Sequence, residues 1–130
     1  MSQTLHPEGW PRPRGYAHGI AAIGSYIALA GQVGWNERGE FAGEGLVEQA
    51  AQALRNIVAI LAEAGAAPEH LVRLTWYVTD KREYLACTKE LGNVYQATIG
   101  SHYPAMTLVQ VSALLEDRAK VEIEATAVVP

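Results

Sequence analysis

A chain of 130 residues with 49% hydrophobic and 18% charged residues is long enough to bury a real core as one domain, residues 1–130. Its net charge of −4, with no basic run larger than PRPR at 11–14 or Lys81-Arg82, excludes the phosphate neutralisation that nucleic-acid binding demands. The lone cysteine, Cys87, excludes an intrachain disulfide framework, and neither a signal pattern nor an 18-residue apolar run is seen, so the chain reads as soluble and cytoplasmic, with no membrane partner.

In chain order, residues 1–15 hold Pro7, Pro11 and Pro13 with Gly9 and Gly15, a composition that forbids a helix or central strand and predicts an extended arm. From Ile20 to Gln32 the chain is apolar and broken at Gly24-Ser25, which predicts a tight hairpin with YIALAGQV as its second strand. NERGEFAGEG then reads as an exposed connection. Over residues 46–64, Leu46, Ala50, Ala53 or Leu54, Ile57, Val58 and Leu61 recur at helical spacing, with Gln49, Gln52 and Arg55 off the stripe and Gly65 placed as a C-cap. LVRLTWYVT, 71–79, switches to period two, with Val72, Leu74, Trp76 and Val78 on one face and Arg73, Thr75 and Tyr77 on the other.

Asp80 and Glu83 form a capping-box pattern that opens a second helix, along which Tyr84, Thr88, Leu91 and Tyr95 recur until Gly100 stops it. Two strands close the chain, 106–111 and 120–129; in the last, Val121, Ile123, Ala125 and Ala127 alternate with Glu122, Glu124 and Thr126. Two amphipathic helices over a mixed sheet make an α+β two-layer sandwich. Its second sheet face, bearing Arg73, Thr75, Tyr77, Glu122 and Glu124, is either wet or turned toward other subunits around a polar cleft. The low charge content favours the oligomer.

The chemistry is sparse. His6, His18, His70 and His102 show no ligand spacing, and HExxH, CxxC and a phosphate-binding glycine loop are all missing, so neither a metal nor a nucleotide cofactor is expected. Glu122 and Glu124, two apart on a strand, share one face and repel unless a donor or cation lies opposite. Partial burial of one of them at an interface would suit general acid–base work; an exposed polar strand face is the plainer alternative.

GQVG after an apolar strand, EQAAQALRNIVAILAEAGA, LVRLTWYVTD, NVYQATIG, YPAMTLVQV and KVEIEATAVV, in this order and spacing, together resemble the RidA/YjgF/UK114 family, whose older label is endoribonuclease L-PSP. The resemblance implies a chorismate-mutase-like fold and a homotrimer with clefts between subunits. It also implies cofactor-free hydrolysis of reactive enamines and imines, such as 2-aminoacrylate, to 2-oxo acids and ammonia. The acidic composition argues against the nuclease label.

Carried over by residue, the resemblance puts the cleft tyrosine at Tyr16 and the water-activating glutamate at Glu122. The family's Ser-Gly-Gln reads Ala30-Gly31-Gln32 here, its asparagine falls at Gly92 beside Asn93, and its Pro-Ala-Arg reads Pro104-Ala105-Met106. An arginine there would fork onto a substrate carboxylate, whereas methionine offers dispersion only. Arg14 and Arg73 are the other cations to consider, and no spacing argument brings either to the cleft.

Trp35 and Tyr103 are candidate aromatic walls, and the backbone at Thr107 and Leu108 a candidate water site. The expectation is a deaminase of an enamine or imine bulkier or less carboxylate-dependent than 2-aminoacrylate. The competing expectation is a non-catalytic small-molecule binder or chaperone-like trimer.

Overall fold

The computed structural model describes residues 2–130; Met1, the first residue of the expected arm, lies outside them. Six strands form in chain order: β1 (Ser2–Leu5), β2 (Gly19–Ala22), β3 (Ser25–Val33), β4 (Leu71–Val78), β5 (Ala105–Gln110) and β6 (Val121–Val129). The helices are α1 (Leu46–Glu63), α2 (Lys81–Ala86) and α3 (Thr88–Thr98). Four strands make one mixed sheet in the order β3-β6-β4-β5, antiparallel except for the β4–β5 pair. The parallel pair needs a crossover, and α2 with α3 supplies it. This is the α+β arrangement expected from the periodicities.

The helices cover one sheet face. Leu54, Ile57 and Leu61 of α1 and Leu91 and Tyr95 of α3 join Leu74, Trp76, Val78, Val121, Ile123, Ala125 and Ala127 in one core cluster. Each fully buried leucine or isoleucine contributes about 1.5–3 kcal/mol of burial. Helix α1 ends where expected: Gly65 takes φ +67°, its N–H donates to Ala62 O, and the Ala66 N–H donates to Leu61 O. That is a Schellman closure, and the positive φ is why glycine serves there. Asp80 caps α2, its carboxylate accepting from Arg82 N at 2.9 Å and Glu83 N at 3.3 Å.

Four sequence expectations are corrected. The hairpin across Gly24-Ser25 does not form: β2 pairs with β1, and β3 pairs with β6. A Gly-Ser break between apolar runs looks the same whether the chain folds back or passes into another sheet. Here Gly24 lets the backbone run against the carbonyl of Val129, which a side chain at 24 would strike. The arm residues 2–5, expected only to be extended, supply the partner strand for β2.

The second helix is two helices, because Cys87 leaves helical geometry at φ −130°, ψ 28°. Val72 does not share the core face. A register shift between Leu71 and Arg73 puts Leu71 in the core and leaves Val72 only half-buried.

Finally, Gln49 lies inside rather than off the stripe. It is 1% exposed, and its amide donates to Gly43 O and Arg118 O, each at 3.0 Å, while accepting from Lys120 N at 2.8 Å. These bonds tie α1 to the connection just before it and to a loop some seventy residues away, which satisfies the polar group's burial.

Candidate active site

Alternation along the sheet decides where each candidate points. Met106 pairs with Leu74 and Leu108 with Trp76, so both face the helix layer; Thr107, between them, pairs with Thr75 on the open face. Glu122 and Glu124 pair with Tyr77 and Thr75 on that same open face. Met106 and Glu122 of one chain therefore lie on opposite sides of the sheet.

On the helix side, Met106 and Leu108 border a cavity of about 390 Å³. Tyr16, Trp76, Tyr84, Tyr95 and Tyr103 give it aromatic walls, and Leu91 and Gly92 of α3 complete that side. Tyr16 is fastened there by the neighbouring backbone: Ala17 N donates to Pro104 O at 3.0 Å, and Ala17 bridges to Ala105 in parallel register. Tyr95 and Tyr103 stack with ring centroids 5.1 Å apart. The Tyr95 hydroxyl donates to His102 O at 2.6 Å and the Tyr103 hydroxyl to Gln96 Oε1 at 3.0 Å. Burial first, then the proximity of Tyr103, pushes the Tyr95 pKa well above the ordinary tyrosine value. Burial likewise raises that of Tyr84. The indole N–H of Trp76 is buried and has no acceptor.

On the open face, β3 makes room for Glu122. The β3–β6 register shifts between Leu29 and Gln32, leaving Ala30 and Gly31 in a bulge. Gly31 sits directly beneath the Glu122 carboxylate, where any Cβ would collide with Oε2. Glu124 accepts a hydrogen bond from the Tyr77 hydroxyl at 2.5 Å, and this bond, followed by burial, raises the Tyr77 pKa. Among the described residues nothing donates a hydrogen bond to Glu122. Two like-charged neighbours thus differ, one engaged and one free.

Gln32 and Trp35 fall in a third place, a groove beside Asn56 and Ile60 of α1. The Gln32 amide donates to Ala30 O at 3.2 Å, and Trp35 packs on Phe41 with ring centroids 5.6 Å apart. The structure therefore brings Tyr16, Met106 and Leu108 together, and separately Ala30, Gly31 and Glu122 on the face shared with Thr107. Sequence reasoning missed Trp76, Tyr84, Leu91 and Tyr95 as cavity walls, although the spacing of the helical ones was visible. Among the described residues no cluster of three or more histidine, cysteine or acidic side chains is placed to hold a metal ion. No helix among them is long and apolar enough to cross a membrane.

Such a domain is an α+β two-layer sandwich with an aromatic cavity under the helices and a free carboxylate on the far side of the sheet. The chain belongs to the endoribonuclease L-PSP family, the RidA/YjgF/UK114 group, whose family model matches residues 11–129. It is 32% identical over 126 residues to a RutC family protein of Pyrococcus abyssi, covering 96% of this chain and 95% of that one. It is also 32% identical over 132 residues to the 2-iminobutanoate/2-iminopropanoate deaminase of Salmonella typhimurium, covering 98% of each. Among solved structures, a Rid-family protein of unknown function from Yersinia pestis superposes with a TM-score of 0.83 at 31% identity, covering 98% of both chains.

Proposed function

We propose that this protein is a cofactor-free hydrolytic deaminase of reactive imines or enamines bulkier than 2-aminoacrylate, acting as a homotrimer. The observation that carries the reading is the aromatic cavity of about 390 Å³ closed by Tyr16, Trp76 and Met106, in a chain whose relatives include an imine deaminase. Ring-lined walls favour a large apolar substituent over a methyl group. In the reaction, water adds to the C=N carbon, the C–N bond of the resulting carbinolamine breaks, and ammonia leaves a 2-oxo acid. Glu122 takes the proton from the water and returns it to the departing nitrogen.

Because Glu122 faces away from the cavity of its own chain, it acts in this reading on a cleft shared with a neighbouring copy. The open sheet face offers Tyr26, 70% exposed, and Val109, 40% exposed, to that contact. The same separation favours a second reading: where no neighbour brings a carboxylate to the cavity, the protein is a non-catalytic small-molecule binder or a chaperone-like scaffold.

Ammonia release from freshly generated imines of pyruvate, branched-chain and aromatic 2-oxo acids tests both. Turnover that prefers the bulky substrates and disappears in Glu122→Gln, with the trimer intact by sedimentation, is expected of the deaminase. Turnover that survives Glu122→Gln would remove Glu122 from the mechanism. Silence on every imine selects the binder.

A further inference from the structure

The cavity has one charged wall residue, and it comes from the arm rather than from the sheet. Arg14 lines the cavity beside Gly15 and Tyr16, and no carboxylate shares that lining. Its side chain is exposed and, among the described residues, engages neither an acidic group nor a hydrogen-bond acceptor. Gly15 turns the chain at φ +76°, a geometry a side chain would strain, and the Ala17–Pro104 bond anchors the next turn. Arg14 is therefore held at the mouth by the backbone that follows it.

Two of the tyrosine hydroxyls are already engaged. Tyr95 and Tyr103 spend their hydroxyls on His102 O and Gln96. The buried Trp76 indole N–H lacks an acceptor. On the sheet side Met106 and Leu108 contribute only apolar surface. A cation at the rim and a ring-lined body match a ligand with an anionic end and an aromatic or large apolar end. A guanidinium forks onto a carboxylate through paired N–H groups, giving orientation as well as affinity.

We propose that Arg14 is the anion seat of this cavity and a specificity-determining residue, selecting aromatic or large apolar carboxylates. The inference deepens the proposed function and rests on its placing the substrate in this cavity. The seat belongs to the arm, so shortening or reorienting residues 11–15 alters ligand choice without touching the sheet.

The test is titration calorimetry of the full chain with phenylpyruvate, pyruvate and phenylacetone, the last a neutral ketone lacking the carboxylate. The native chain is expected to bind phenylpyruvate more tightly than either of the others. Arg14→Gln should weaken phenylpyruvate at least about tenfold and leave phenylacetone within about twofold, with Arg14→Lys in between. Unchanged phenylpyruvate affinity in Arg14→Gln, equal loss for both ketones, pyruvate bound as tightly as phenylpyruvate, or no phenylpyruvate binding at all each overturns the proposal.

The two readings fail separately. Arg14-dependent phenylpyruvate binding by a protein that releases no ammonia keeps the seat and removes the deaminase. Ammonia release from bulky imines that ignores Arg14→Gln does the reverse.

Discussion

The Glu122 carboxylate rests on Gly31: the bulge in β3 places a residue without a Cβ directly beneath Oε2. A methyl group there must displace either the carboxylate or the β3 backbone. Gly31→Ala is therefore expected to turn the Glu122 side chain aside at a stability cost below about 1 kcal/mol, measured by denaturant titration, because the atoms it meets belong to a side chain that, among the described residues, no hydrogen bond holds. Under the proposed function it should also lower kcat more than it raises KM, because it moves the proton acceptor and leaves the cavity walls alone. Native-like turnover in this variant would show that the Glu122 side chain has another seat.

Gly92 is the opposite case. It sits within α3 on the cavity wall, and a Cβ built on it meets nothing within 4 Å. Glycine inside a helix costs about 1 kcal/mol relative to alanine, so Gly92→Ala should stabilise the protein by a good part of that. Gly92→Leu should fill the space the ligand needs and weaken phenylpyruvate binding while the fold stays intact. Thermal unfolding and calorimetry on the two variants read the two effects independently, and unaltered binding in Gly92→Leu would place the ligand elsewhere.

Tyr95 sets an alkaline limit. Burial, then the nearby Tyr103, raises its pKa above the ordinary 10.0, so the folded state holds this proton more tightly than the unfolded chain does. The stability linked to it is fully present below the ordinary tyrosine value and is lost as pH rises from about 10 through the folded value. Tyr95→Phe should be less stable than the native chain by about 0.5–1.5 kcal/mol at neutral pH, having lost the bond to His102 O. That gap should narrow in urea titrations carried from about pH 8 to about pH 11. A constant gap across the range would assign the alkaline decline to other groups.

Much of the framework was legible because it is local. The stripe of Leu46, Leu54, Ile57 and Leu61, the αL cap at Gly65, the Asp80 cap and the alternation of Val121, Ile123, Ala125 and Ala127 each follow from neighbours within a few residues. Periodicity is a property of one segment and survives any tertiary context that gives the segment a single apolar side. The family was legible for a related reason, since the order of several such segments is itself a signature.

What the sequence by itself determined, then, was the elements, the helix face of the sheet and the residues able to carry chemistry. Tertiary structure decided the partners. It joined β2 to the arm instead of to β3, broke the second helix at Cys87, shifted β4 past Val72 and drew Gln49 inward to distant loop atoms. It also separated Glu122 from Met106 by the thickness of the sheet and brought Arg14, with Gly15 and Tyr16, to a cavity whose remaining walls lie dozens of residues away. Register, bulges and cavities arise where segments far apart in the chain compete for the same space, and no local pattern encodes the outcome of that competition.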